Sequence, residues 1–102
     1  MRVTRGAELN VALAERDVER MVAFAVERFG RLDGAFNNAG LSDPPAPSAE
    51  IERSAWELPL NVDLIGAWLC MKHQIKHMAV AGGGAIVNNA SNAGKAGVPL
   101  MA

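Results

Sequence analysis

The feature that most constrains this chain is a short apolar run that ends in two asparagines and a glycine. Residues 32–36 are mainly apolar, Asn37 and Asn38 follow them, and Gly40 precedes a turn-forming segment. This pattern predicts a buried strand that leads into a loop carrying polar side chains. In an open α/β sheet, ligands bind in the crevice beyond the carboxyl ends of the strands. The stretch therefore predicts an α/β fold with a ligand site at this strand end.

Length, charge and cysteine content restrict the class of protein. The 102 residues are expected to form a single domain, 1–102, and half of them are hydrophobic, which is enough for a packed core. The net charge of -1 and the lack of an evident basic face argue against nucleic acid as a partner. The lone Cys70 fits a reducing cytosol. Because no signal peptide is visible and no apolar run approaches the ~20 residues of a spanning helix, we expect a cytoplasmic protein that does not bind membranes.

Hydrophobic periodicity divides the chain into alternating helices and strands. The predicted elements are a strand at 9–13, a helix at 16–29 with Asp17 near its start and Gly30 after its end, a strand at 32–37, a short helix at 50–58 capped by Ser48 or Ser54, a helix at 61–80 after a turn or kink at Pro59, and a strand at 85–91. The glycines at 82–84 precede a strand, so they predict a turn and not a phosphate cradle. A helix–strand–helix–strand order implies parallel strands joined by a right-handed crossover, so both strand ends face one crevice.

The predicted helix at 61–80 is apolar over much of its circumference. Its main apolar stripe consists of Leu64, Ala67, Trp68, Met71, Ile75 and Met78. We expect such a helix to be buried both by the sheet and by a further surface. His73 and His77 have a spacing that can share a metal, but the neighbouring lysines and the lack of an acidic or cysteine partner nearby favour a solvated face. No metal site is predicted.

Three motifs in order resemble the short-chain dehydrogenases/reductases. The segment 29–40 contains the family's Asn-Asn-Ala-Gly motif, and 83–94 is similar to the strand that carries its active-site serine. Between them, Trp56 and the helix start at 64–69 lie at the family's spacing, and the resemblance extends over about residues 9–102. It implies a partial Rossmann-type, doubly wound parallel sheet of two to three strands with flanking helices. It also implies an oxidoreductase that transfers a hydride between NAD or NADP and a carbonyl or secondary alcohol.

The resemblance also implies roles for individual residues. Ser91 matches the serine that hydrogen-bonds the substrate oxygen. Asp63 falls where the family has an asparagine that holds a relay water, although Asn61 fills that position if the register differs by two. Aspartate accepts hydrogen bonds but does not donate them when it is ionised. The residues expected to contact the cofactor are Asn38, Ala39 and Gly40 on the ribose and nicotinamide side, Ala90 beside the nicotinamide, and Asn10 and Val11 near the adenine. For Asn37, cofactor contact and support of the neighbouring backbone stay open.

Two parts of the family pattern are not found in the sequence. The family's catalytic tyrosine lies about thirteen residues beyond the serine, and a lysine follows about four residues later, so both positions fall past Ala102. In addition, no glycine-rich pyrophosphate loop precedes the matched region. We therefore expect a central fragment of the enzyme that is inactive alone. Its sequence indicates neither the substrate nor a preference for NAD or NADP. The family also implies a homo-oligomer formed through the helix at 61–80.

Two alternatives stay open at this stage. The first is a non-catalytic interaction or dimerisation module built from a remnant of this family. The second is a receiver or nucleotide-hydrolase domain, which is disfavoured because the sequence has no acidic pocket and no Gly-Lys-Ser/Thr loop.

Overall fold

A computed structural model describes residues 14–101 as helices packed on one side of a small parallel sheet. The elements are α1 (Glu15–Phe29), β1 (Gly34–Asn37), a 3₁₀ turn (Ser48–Glu50), α2 (Arg53–Pro59), a π-helical segment (Leu60–Gly66), α3 (Ala67–Val80), β2 (Ala85–Asn88) and a second 3₁₀ turn (Asn92–Gly94). The α/β class and the helix–strand–helix–strand order are confirmed. The strand predicted at 9–13 lies outside the described residues.

Helix α1 follows the periodicity that predicted it. Its buried side chains are Val18, Met21, Val22 and Ala25, which occupy one stripe. The helix ends at Gly30, whose φ of 87° suits glycine and whose N–H donates to the carbonyl of Val26 at 2.8 Å. Asp17 lies in the first turn, where its charge favours the helix dipole. It is not the N-cap, because Ala14 occupies that position without a side-chain bond.

The sheet of the described residues contains two parallel strands in register. Gly34 pairs with Ala85 at one end, and Asn37 pairs with Asn88 at the other. Both strands are shorter than predicted, and the chain after β2 turns away from the ladder. The prediction that β2 is buried is wrong for the described residues, since its side chains are mostly exposed. The physical reason is that α3 packs mainly on β1, while its contact with β2 includes the bond from Asn88 Nδ2 to Met71 Sδ, at the end of that strand.

One continuous helical path replaces the two helices predicted between residues 50 and 80. Helix α2 runs through Pro59 directly into the π-helical segment and then into α3. A proline has no N–H to donate, and a widened π turn is one way for a helix to accommodate such a break in its bonding. The predicted caps are also wrong: Pro47 and Glu52 begin the two short elements, neither with a side-chain bond.

The core lies between α1 and α3, and apart from Met78 it uses a different face of α3 from the main stripe that was predicted. The buried residues of α3 are Leu69, Cys70, His73, Gln74 and Met78. Leu64, Trp68 and Ile75, from the predicted stripe, are 65%, 54% and 54% exposed. The polar residues His73 and Gln74 are buried because each side chain has a partner on another element, His73 with Glu15 of α1 and Gln74 with Asn37 of β1. The prediction of a solvated face for His73 is therefore wrong.

The glycines at 82–84 form the predicted turn. Gly82 and Gly83 have φ values of 93° and 134°, and the Gly83 N–H donates to the carbonyl of Met78 at 2.8 Å. Within residues 14–101, no helix combines the length and apolarity that crossing a membrane requires.

Candidate active site at the carboxyl edge of the sheet

Three side-chain amides, the buried Asn37 and Gln74 and the exposed Asn88, join the ends of the strands to α3. Asn37 Nδ2 donates to Gln74 Oε1 at 3.1 Å, and Gln74 Nε2 donates back to Asn37 Oδ1 at 2.8 Å. Asn37 Nδ2 also donates to Asn88 Oδ1 at 2.8 Å, which connects β1 to β2. Asn37 is thus held on both sides and is 7% exposed. Of the two roles that the sequence left open for Asn37, these contacts correspond to support of the neighbouring structure and not to contact with the cofactor.

The second asparagine of the motif has a different environment. Asn38 Oδ1 accepts from Asn89 Nδ2 at 2.7 Å, and Asn38 is exposed at the edge of the sheet. Ala39, Gly40 and Ala90 are exposed at the same edge. Small side chains there leave the backbone open to a flat ligand. Asn10 and Val11, which were expected near an adenine, lie outside the described residues.

Asp63 reaches this edge from the π-helical segment. Its Oδ1 accepts from the backbone N–H of Leu41 at 2.8 Å, which ties the loop after β1 to the helix. The same oxygen would lie 3.6 Å from a Cβ added to Gly40, an ordinary contact. The carboxylate keeps further lone pairs for other donors.

Ser91 follows β2 and begins the second 3₁₀ turn. Its Oγ accepts from the backbone N–H of Ala93 at 3.2 Å, as expected for a cap. Because this bond uses a lone pair of the oxygen, the hydroxyl proton stays free to be donated to a ligand. Ser91 is exposed, so a ligand has access to it.

Asp63 and Ser91 line the same cavity of about 420 Å³. The wall is built by the loop after β1, by α2 and the π-helical segment, and by the chain after β2. Its other lining residues are Leu41, Ser42, Asp43, Pro44, Ile51, Trp56, Pro59, Leu60, Leu64, Ala93, Leu100 and Met101. A volume of this size lies within the range of about 300–1,000 Å³ that is usual for small-molecule sites.

A second, much smaller cavity of about 30 Å³ lies behind Asp63. Asn37, Ala39, Asn88 and Asn89 also border it, so polar groups surround much of its wall. A single water needs about 10–15 Å³ of such space and two to four polar partners. Asn61 lies within the described residues but lines neither of these two cavities.

The resolved pKa shifts belong to groups outside the 420 Å³ cavity. Bonds from Lys72 and then His73 lower the pKa of the Glu15 carboxyl at the start of α1. Burial raises the pKa of the Cys70 thiol, which keeps the sulfur in its less reactive protonated form. Among residues 14–101, no three His, Cys, Asp or Glu side chains are grouped so that they could hold a metal ion.

The sequence reasoning missed Gln74, Asn88 and Asn89 as members of this edge. The pair Asn88 and Asn89 repeats, at the end of β2, the asparagine pair that ends β1, and this repetition was a usable signal. Gln74 gave a weaker signal, since it is a polar residue within a helix that is otherwise largely apolar on several faces.

Comparison with known proteins identifies the family. A family model described as short chain dehydrogenase matches residues 3–102. The 2,5-dichloro-2,5-cyclohexadiene-1,4-diol dehydrogenase of Sphingobium indicum is 44% identical over 87 residues, which are 84% of this chain and 35% of that protein. The cis-4-hydroxycyclohexanecarboxylate dehydrogenase of Sinomonas cyclohexanicum is 42% identical over 83 residues, or 81% of this chain and 33% of that protein. The solved structure of ElxO with NADP bound has a TM-score of 0.85 and 35% identity, covering 93% of this chain and 38% of that one.

The chain therefore belongs to the short-chain dehydrogenase family, and the resemblance drawn from its motifs is confirmed. Its two parallel strands and flanking helices are part of the Rossmann-type fold of the solved relative. The chain spans about a third of the length of the curated relatives it matches.

Proposed function

We propose that this chain is the central part, 1–102, of a cytoplasmic NAD- or NADP-dependent oxidoreductase that transfers a hydride to or from a carbonyl or secondary alcohol. The single observation that carries the proposal is the convergence of Ser91 and Asp63 on one cavity at the carboxyl edge of the sheet. This is the position where an open α/β sheet binds its ligand. Family membership supports the reaction class.

Ser91 binds and orients the oxygen of the substrate. Its exposed hydroxyl supports this role, because the oxygen is held by the Ala93 N–H while the proton remains available to the substrate. A carbonyl oxygen that accepts this proton in a hydrogen bond is polarised for hydride addition.

Asp63 supports the proton path by holding a water in the small cavity behind it. The supporting observations are the size of that cavity, its polar border and the lone pairs that Asp63 keeps after accepting from Leu41. Asp63 lines both cavities, whereas Asn61 lines neither, so we propose Asp63 for this position. The family's tyrosine and lysine, expected beyond residue 102, would carry out the acid–base step.

The cofactor would be held by Asn38, Ala39, Gly40 and Ala90. These residues fit a nicotinamide dinucleotide because they are small or amide-bearing and exposed at the sheet edge. Asn10 and Val11 are proposed to contact the adenine. When bound, the cofactor supplies the ring that gives or takes the hydride. The Asn38 side chain, braced by Asn89, offers its amide protons to ribose oxygens.

The substrate is a small alcohol or carbonyl compound, and the two named relatives act on ring alcohols according to their names. The protein assembles as a homo-oligomer through the helix at 61–80. The exposed stripe of Leu64, Trp68 and Ile75 supports this assembly, since such side chains are usually covered when they are contiguous.

A graft into a relative tests the proposed function. In the ElxO chain, the segment that matches this protein is replaced by residues 14–101, so that the rest of that chain supplies the missing parts of the family. We expect NADP-dependent turnover, and Ser91→Ala lowers kcat by about 100-fold or more. Ser42→Ala, a serine of the same cavity, is the matched control and should change kcat only a few-fold.

Two results would oppose the proposal. A folded graft that binds NADP but retains its kcat after Ser91→Ala would refute the role of that serine. The alternative of a non-catalytic interaction module is favoured if the graft is inactive while the 102-residue chain self-associates and binds neither NADH nor NADPH. The chain alone is expected to be inactive, and measurable turnover by it would refute that expectation.

A further inference from the structure

The cavity that holds Ser91 has mainly apolar walls. Trp56, Leu60, Leu64 and Met101 contribute large apolar side chains, and each is exposed enough to contact a ligand. At about 420 Å³ it lies toward the small end of the usual range for ligand sites, so it suits a compact substrate. The ligand body that such walls favour is a hydrocarbon ring or a short chain.

One wall residue is held in a conformation that its type rarely adopts. Leu100 has a φ of 62°, in the left-handed region that favours glycine. Its carbonyl accepts from the Ala46 N–H at 3.0 Å, and the Met101 N–H donates to the Val98 carbonyl at 3.2 Å to close a tight turn around it. Positive φ is common at the third residue of a turn whose second residue is proline, which here is Pro99. Two backbone hydrogen bonds therefore hold this part of the rim, one within the turn and one to the loop after β1.

The charges on the cavity wall have one sign. Asp43 and Asp63 contribute two carboxylates, and no Lys, Arg or His of the described residues lines the cavity. Within residues 14–101, neither carboxylate takes part in an ion pair, since the ion pairs there involve other acids. A carboxylate on a ligand in this cavity would meet two like charges without a compensating cation from the described wall.

Resting on the proposed function, we infer that the cavity selects ring alcohols and ketones that carry no ionised group, and that Asp43 and Asp63 exclude substrates bearing a carboxylate. The two relatives named above act, by their names, on a neutral ring diol and on a ring carboxylate, so the family contains both classes. The charge of this cavity assigns the present chain to the neutral class. Asp63 thus sets specificity in addition to bracing the loop at Leu41.

Two probes of matched shape test the inference. Cyclohexane-1,4-diol and cis-4-hydroxycyclohexanecarboxylate are titrated separately into the ¹⁵N-labelled 102-residue chain, and amide shifts are followed by NMR. We expect the diol to shift the amides of Leu41, Asp63 and Ser91. The carboxylate should bind about tenfold more weakly at low salt, and added salt should narrow this ratio because like-charge repulsion is screened.

Charge-neutral variants identify the residues that cause the discrimination. Asp63→Asn and Asp43→Asn remove the charges, and the asparagine at 63 keeps an oxygen that can accept from Leu41. In the double variant we expect the affinity ratio of the two probes to fall to about twofold or less. Glu57→Gln, an acid of α2 that does not line the cavity, is the matched control and should leave the ratio unchanged.

The outcomes separate this inference from the proposed function. Equal binding of the two probes, or binding that moves none of the cavity amides, would overturn the inference, as would an unchanged ratio in a double variant whose spectrum shows a folded chain. NMR binding needs no hydride transfer, so failure of the inference leaves the Ser91 test untouched. Conversely, a discriminating cavity in a chain whose graft shows no turnover would refute the oxidoreductase proposal alone.

Discussion

Replacing Gln74 with leucine tests the amide network that holds the two strand ends against α3. Gln74 is fully buried and exchanges two hydrogen bonds with Asn37, at 2.8 and 3.1 Å. Leucine fills a similar volume but donates nothing, so Asn37 Oδ1 loses the donor that it has in the described structure. A buried polar atom left without a partner costs about 1–3 kcal/mol.

We expect Gln74→Leu to lower the free energy of unfolding by about 2 kcal/mol. For a chain of this size each kcal/mol lowers Tm by about 4–8 °C, so the effect is easily measured. Urea denaturation followed by circular dichroism gives the free energy directly. Lys76→Leu is the matched control, because this exposed residue of the same helix has no buried bond to lose, and it should stay within about 0.5 kcal/mol of the wild type.

A double-mutant cycle determines whether the loss comes from the pair itself. Replacing both Asn37 and Gln74 with leucine removes the unpaired atom as well as the bonds. The double variant should therefore be more stable than the sum of the single losses predicts, by about 1–2 kcal/mol. If the two single losses add, or if Gln74→Leu lies within the range of the Lys76 control, the reasoning about the buried amides is wrong.

Two further perturbations follow from described contacts. Lys72 and His73 hold the pKa of the Glu15 carboxyl in the folded chain below its usual 4.5. The ionised carboxylate therefore stabilises the fold above about pH 4.5, and this contribution is lost as the pH falls through the lowered pKa of the folded state. Glu15→Gln should accordingly be less stable than wild type at neutral pH, and the difference should shrink in urea titrations as the pH is lowered; a difference that does not shrink with falling pH would contradict this. Gly84→Ala should cost about 1–3 kcal/mol in urea unfolding, since its Cβ would lie 2.6 Å from Met78 Cγ and Sδ. Gly94→Ala, where a Cβ meets nothing within 4 Å, is the neutral control, and an equal loss in both variants would refute the clash.

Local chemistry made much of the fold readable from the sequence. The periodic apolar stripe of α1 and the glycine after it determined where that helix lies and where it ends. The apolar run before Asn37 located β1, and the order of elements predicted the parallel pairing with β2. These features depend on residues close in sequence, whose spacing is fixed by helix and strand geometry. The motifs that placed the chain in its family are equally local.

The tertiary structure alone decided which face of α3 is buried. By apolarity the stripe of Trp68 and Ile75 is the better core, yet these residues are exposed while His73 and Gln74 are buried. The reason is that Glu15 and Asn37, distant in sequence, provide partners that compensate for the loss of water around the two polar side chains.

For the candidate site, too, the sequence indicated individual residues, and the tertiary structure decided how they are arranged. The sequence pointed to Asn38, Asp63 and Ser91 through its resemblance to the family: Asn38 and Ser91 lie in matching motifs, while Asp63 was placed by counting, with Asn61 as the alternative. It did not reveal that Asp63 and Ser91 line one cavity with Asp43, since these residues come from three separate segments of the chain. Only the packing of the helices on the parallel strands brings those segments together, and the charge and shape of the cavity arise from that packing.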